Sequence, residues 1–174
     1  MMPGSPISTA ERPSDREVVF RRLLDAPREL VWKVWSDPEH LHHWFGPAGF
    51  TLTTLEFAFV PDGVWRFIMH GPDGTDYPTL VVFREIVPPS RLVYENGWDL
   101  PGAPVDFVAV VTLLPEGKRT RFSIHMTFHD VAAMKTAVEL YGVLQGGIQT
   151  LDRLAQYLAR PAGFFAAAVP SGWE

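Results

Sequence analysis

The chain reads as an α+β domain: a curved antiparallel sheet of about six to seven strands wrapped on a long C-terminal helix, with two short helices after strand 1. Three observations predict it. Between Leu23 and Phe59, two short apolar stripes at helical spacing, each opened by a proline, lead through Trp44-Phe45-Gly46-Pro47 into an aromatic strand. From Phe50 to Phe128 the apolar period becomes two, broken by turn residues at short intervals. After Asp130 the helical period returns and holds to about Ala159.

The 174 residues fit one domain, since a domain usually takes roughly 100–200 residues. With no cysteine, the chain has no disulfide, thiolate metal site or cysteine nucleophile, which fits a reducing cytoplasm. Lysine and arginine number 15 against 20 acidic residues, a net charge of −5. The cations are scattered, so no positive face exists for nucleic acid. No run approaches the ~20 apolar residues of a membrane span, so no membrane insertion is expected.

Residues 1–15 lack a basic-then-apolar secretory pattern and read as a disordered leader. Arg16 to Leu24 alternates imperfectly and reads as the first strand. Pro27 suits a first helical turn, where its missing N–H removes a donor that would be unpaired anyway. Leu30, Val31, Val34 and Trp35 supply that helix's apolar stripe. Asp37-Pro38 repeats the signal as N-cap and first-turn proline, and Gly46-Pro47 ends the second helix.

Leu55, Phe57 and Phe59 share a strand face, as do Trp65, Phe67 and Met69 beyond Pro61-Asp62-Gly63, a hairpin signal in which glycine takes positive φ cheaply. Tyr77 to Val87 and Arg91 to Trp98 are the next strands, with Leu92, Tyr94, Asn96 and Trp98 on one face. Val105, Phe107, Ala109, Val111 and Leu113 alternate in the following strand. In the last, Phe122, Ile124, Met126 and Phe128 oppose Arg121, Ser123, His125 and Thr127, giving one buried and one wet face. Asp130 N-caps the closing helix, whose face is Met134, Val138, Tyr141, Gln145, Ile148, Leu151, Ala155 and Leu158. Gly142, Gly146 and Gly147 inside it call for close packing on the sheet or for a kink above an open space. Pro161 stops the helix. The apolar tail 161–174, with Phe164 and Phe165, is expected to dock on the body or on a second copy, which keeps a homodimer in view.

This order resembles the START-like (SRPBCC) superfamily, and within it the branch named for the heat-shock-protein-90 ATPase activator homologue. The matching residues are Asp25-Ala26-Pro27 with Val31, Trp32 and Trp35, then Trp44-Phe45-Gly46-Pro47, Pro61-Asp62-Gly63, Pro72-Asp73-Gly74, Glu85 to Tyr94, and Gly147-Ile148 with Leu151-Asp152-Arg153-Leu154. The chain departs from the branch at Ile148, where relatives commonly have tryptophan, and at Val64, where they commonly have glycine. The resemblance implies a helix-grip fold over 16–160 with a cavity between sheet and closing helix, in which relatives bind lipids, polyketides or other apolar molecules and some catalyse reactions. It also brings a chaperone partner into view as a third reading.

Aromatic stripes are ordinary core or, given that resemblance, the wall of a ligand site. The candidate ligand-binding set is Trp44, Phe57, Phe59, Trp65, Phe67, Met69, Tyr77, Tyr94, Asn96, Trp98, Phe107, Met126, Phe128 and Gln145. Asn96 must find partners in the backbone or in a ligand. His40, His42 and His43 do not fall on one helix face and are not expected to hold metal. No hydrolase triad, phosphate loop or HExxH is present, so no catalytic set and no cofactor is expected. A cavity enzyme would need an inward titratable group, with Glu56, Glu95, His70 and His125 as candidates.

Overall fold

A computed structural model describes residues 6–161 and 163–165 of the chain. Its elements, in order, are β1 (Thr9–Ser14), β2 (Glu17–Leu24), α1 (Arg28–Trp35), α2 (Pro38–Trp44), β3 (Thr51–Phe57), β4 (Val64–His70), β5 (Asp76–Val87), β6 (Arg91–Trp98), β7 (Val105–Glu116), β8 (Arg119–Phe128), α3 (Val131–Glu139) and α4 (Val143–Leu158). The strands form one 8-stranded antiparallel sheet in the order β1-β2-β8-β7-β6-β5-β4-β3. Sequential hairpins run from β3 to β8, and β2 then pairs with β8. The fold is α+β and of the helix-grip type, with one strand more than the upper expectation.

The additional strand corrects the reading of 1–15 as disordered. Thr9–Ser14 pairs antiparallel with β2. Ser8, in front of it, is buried and donates to Asp152 Oδ1 at 2.7 Å, while Arg22 Nη1 reaches the same oxygen at 2.8 Å. A charged knot thus ties the leader to α4, a long-range constraint that composition does not reveal. Residues 1–5 lie outside the described residues.

Both proline-opened helices form where expected. α1 buries Val31, Val34 and Trp35, each such side chain contributing roughly 1.5–3 kcal/mol. In α2 the Asp37 carboxylate accepts from Glu39 N at 2.9 Å, and Pro38 stands at the start. Trp44 donates its indole N–H to Val34 O at 3.0 Å, joining the two helices. Leu55 does not share a face with Phe57 and Phe59: the register slips between Thr54 and Glu56, and the surplus residue turns outward to 51% exposure. In the Pro61-Asp62-Gly63 turn, Asp62 rather than glycine carries the positive φ of 64°, its carboxylate held by Arg84 at 2.7 Å.

The single long helix is also corrected. It is two helices, separated at Leu140-Tyr141-Gly142, with Gly142 at φ 61°. The other two glycines serve close packing: a Cβ at Gly147 would overlap the Phe20 ring, and one at Gly146 would sit 3.2 Å from Pro47 Cγ. The apolar stripe therefore does not continue in phase across the break. Met134 is buried, whereas Tyr141 and Gln145 are exposed. Beyond α4, Phe165 is 4% exposed and packs on Tyr157 and His40. Residues 162 and 166–174 of the expected tail lie outside the described residues.

Candidate functional site

The concave face of the sheet meets its helices in two different ways. Near α1 and α2 the rings close on one another: Trp65 stacks on Phe67 at 3.9 Å between centroids, and Phe45, Phe57, Phe59 and Phe83 complete the cluster. Under α3 and the start of α4 they do not. A cavity of about 690 Å³ opens there between the sheet and the two helices. Its floor carries Tyr94, Asn96 and Trp98 of β6, with Tyr77 and Thr79 of β5, Phe107 of β7 and Met126 of β8. Its roof is Ala132, Ala133, Thr136 and Ala137 of α3 with Gly146, Gly147 and Thr150 of α4. Large side chains below and small ones above leave the space unfilled, because packed interiors lose volume only where side chains reach across.

Trp35, Trp44 and Phe45 border the cavity on the α1–α2 side, followed by Pro47 and Phe50, whose ring lies 6.0 Å from that of Tyr77. The turn bearing the last three is pinned by one cation: Arg153 Nη1 donates to Gly46 O, Pro47 O and Phe50 O at 2.9, 2.9 and 3.2 Å. Burial holds the Arg153 guanidinium below its ordinary pKa range. At the outer end Tyr77, Trp98 and Tyr141 meet with centroids 5.9–6.4 Å apart, and Tyr141 comes from the break between α3 and α4. The break thus supplies an aromatic rim.

Of the sequence candidates, Trp44, Phe67, Met69, Tyr77, Tyr94, Asn96, Trp98, Phe107, Met126 and Phe128 border the cavity. Phe57, Phe59, Trp65 and Gln145 do not: the three rings belong to the packed end, and Gln145 is exposed. Phe20, Trp35, Phe45, Phe50, Phe122 and Tyr141 border it without having been candidates. Their apolar stripes were visible, but which end of the sheet stays open depends on the helix break.

The polar groups of the wall are few. Among the described residues, neither the Tyr94 hydroxyl nor the Asn96 carboxamide has a hydrogen-bond partner, so the expected internal satisfaction of Asn96 is absent. Tyr94 is 4% exposed, and burial pushes its phenol above the usual range. Trp35 Nε1, by contrast, is itself buried without a partner. Asp106, His129 and Asp130 stand at the edge of the wall. Burial raises the Asp106 carboxyl pKa, with His129 working against it. Asp130 Oδ1 accepts from Ala133 N at 2.7 Å, capping α3. The enzyme candidates read from sequence are placed elsewhere: Glu56 lies by Arg66, Glu95 by Arg84, His70 by Asp76 and His125 by Glu17. No cluster of metal-ligating side chains occurs among the described residues. His40 is buried, its Nδ1 2.6 Å from Tyr157 Oη.

The family described as Activator of Hsp90 ATPase homolog 1-like protein matches residues 25–159. The chain belongs to this family. A solution structure of a protein from Arthrobacter aurescens superposes with a TM-score of 0.80 at 26% identity, over 88% of this chain and 92% of that one. The crystal structure of NE0264 from Nitrosomonas europaea gives 0.74 at 26% identity, over 84% and 96%. Ms6760 from Mycobacterium smegmatis gives 0.79 at 19% identity, over 90% and 99%, and shares the fold. No curated protein matches the chain. Membership supports a START-like ligand-binding domain in general terms, and no described helix is long and apolar enough to cross a membrane. Neither position departing from the branch borders the cavity: Ile148 packs against the core and Val64 pairs with Val82.

Proposed function

We propose that this protein binds a hydrophobic small molecule, lipid- or polyketide-like in size and polarity, in the space between the sheet and α3–α4. One observation carries the reading: about 690 Å³ lined by aromatic and aliphatic side chains beneath a roof of small residues, alanine, glycine and threonine. Small-molecule sites commonly span about 300–1,000 Å³, with mostly apolar walls and a few placed polar groups. Native mass spectrometry of freshly purified protein, followed by thermal-shift titration with any molecule recovered, tests it. The expected result is one bound molecule and a raised melting temperature, lost in Ala137→Trp, whose indole occupies the cavity. A wild type that carries nothing and does not respond to lipid and polyketide panels contradicts it.

A cavity enzyme is the second reading, favoured by His129 Nδ1 lying 3.1 Å from Asp130 Oδ2 at the edge of the wall. Asp130 already serves α3 as its cap, which favours binding over catalysis. If His129→Ala leaves a recovered ligand chemically unchanged and equally well bound, the binder reading stands; turnover by wild type alone replaces it. The side chains that suggested a second copy, Phe164 and Phe165, pack on Tyr157 of the same chain.

A further inference from the structure

The cavity wall is uneven in charge. Among the described residues it holds no lysine or arginine, while Asp106 and Asp130 stand at its edge. A ligand carboxylate or phosphate entering it would leave water for a site with no cation to receive it, a cost that only pairing offsets. The N-terminus of α3 borders the cavity and would ordinarily attract an anion, but the Asp130 carboxylate already occupies it. Against this stand hydrogen-bonding groups that nothing in the chain uses. The Tyr94 hydroxyl and the Asn96 carboxamide, two residues apart on one strand face, open on the cavity and have no hydrogen-bond partner among the described residues. The Trp35 indole N–H, which is buried and unpartnered, belongs to a ring 6.3 Å from that of Tyr94 between centroids. Two of these three groups act chiefly as donors, because burial keeps the Tyr94 phenol protonated. Of the three only the Trp35 N–H carries the cost of a buried unpaired group, while the Tyr94 hydroxyl and the Asn96 carboxamide open on the cavity and are free to receive a ligand oxygen.

We infer that the ligand is an uncharged, ring-bearing molecule with a carbonyl or hydroxyl oxygen received by Tyr94 and Asn96, and that the site rejects its anionic counterparts. This rests on the binder reading above and adds the ligand's charge and its polar anchor. The aromatic floor and the Tyr77–Trp98–Tyr141 rim suit a flat ring system, since stacked and edge-on ring pairs gain beyond area burial alone. α4 begins at Gly142 with no side-chain cap, so its first turn is the place where an anion would contradict the inference.

Three probes on one frame test it: anthracene, 2-acetylanthracene and anthracene-2-carboxylate, each titrated against tryptophan emission at pH 7.5. The ketone should bind at least about 10-fold more tightly than the carboxylate, a difference of about 1.4 kcal/mol. It should also exceed the hydrocarbon. Tyr94→Phe with Asn96→Leu keeps ring and volume; it should erase the ketone's advantage over anthracene and leave anthracene within about 2-fold. Tyr94→Phe alone should erase part of it, which guards against misfolding of the pair. A carboxylate that binds as well as the ketone, or a ketone preference that survives both substitutions, overturns the inference while the binder reading stands. If none of the three probes binds wild type, the inference falls, and the binder reading is decided separately by the lipid and polyketide panels.

Discussion

The two ends of the concave face start from the same alphabet and finish differently. At the α1–α2 end, inward rings from β3, β4 and β5 meet other rings: Phe45 edges onto Trp65 and Phe67, and Phe59 onto Phe83. At the α3–α4 end, inward rings from β5, β6 and β7 lie beneath alanines, glycines and threonines, and only at the rim do Tyr77 and Trp98 meet a ring from above, that of Tyr141. Whether a ring is core or wall is therefore decided by the element above it. The strand that carries it does not settle the matter. The helices that cover the filled end contribute Trp35 and Trp44, whereas over the hollow end α3 and the start of α4 present chiefly alanine, glycine and threonine.

The contrast is broken most severely at Trp65. Trp65→Ala should remove about 3–5 kcal/mol of stability, as expected for a large ring lost from a site that cannot collapse. Trp98→Ala, half-buried at the rim with ring contacts to Tyr77 and Tyr141, should cost about 1–2 kcal/mol, clearly less than Trp65→Ala. Paired chemical denaturation curves check both. Equal losses would mean that the hollow end is packed as tightly as the other.

Next in size is the pin between the ends. Arg153→Ala removes donors to three carbonyls of the Gly46–Phe50 turn, at a cost of about 2 kcal/mol for charge-assisted hydrogen bonds. Amide exchange in residues 46–50 should quicken while the packed end keeps its protection; uniform quickening would deny the pin its local role. Gly147→Ala should cost roughly 1–3 kcal/mol, because the new methyl meets the Phe20 ring and α4 has to shift. Calorimetric melting checks it, and an unchanged or raised melting temperature contradicts the close approach.

The smallest effect is acid sensitivity at the packed end. His40 is held below its ordinary pKa by burial first, with Asp37 acting in the opposite direction. His43, Lys33, Glu39 and the Tyr157 hydroxyl also face it or lie nearby. With the folded pKa depressed, the unfolded chain takes up the proton first. Stability is then complete above the unfolded histidine value, about 6.5, and falls as pH drops below it, by at most about 1.4 kcal/mol per pH unit for one proton. Urea midpoints between pH 7.5 and 5 check this, and His40→Gln should flatten the fall. A midpoint that rises toward pH 5 would reverse the sign.

Much of the fold was legible because it follows from local chemistry. Asp37-Pro38 and Asp130 cap helices as their side chains dictate, and the period-two stretches after Phe50 became paired strands. What escaped was set by distant contacts. β1 depends on the Ser8–Asp152–Arg22 knot, and the outward turn of Leu55 on a register slip against β4. For the site, the ring-bearing strand positions were visible, but Trp65, Phe57 and Phe59 could not be separated from Tyr94 and Trp98 without knowing where the closing helix breaks. Leu140-Tyr141-Gly142 held that signal: two large apolar residues just before a glycine that can turn left-handed. Asp106 and His129 gave no such signal, since they meet only through the hairpin geometry of β7 and β8.

The most direct measurement is a titration of N-phenyl-1-naphthylamine, a neutral apolar fluorophore, into wild type and Ala137→Trp. A hollow α3–α4 end predicts a single saturable site in wild type, with blue-shifted emission and a dissociation constant in the micromolar range, and at least about 10-fold weaker binding once the indole fills the roof. Equal binding by both proteins, or none by wild type, would contradict it.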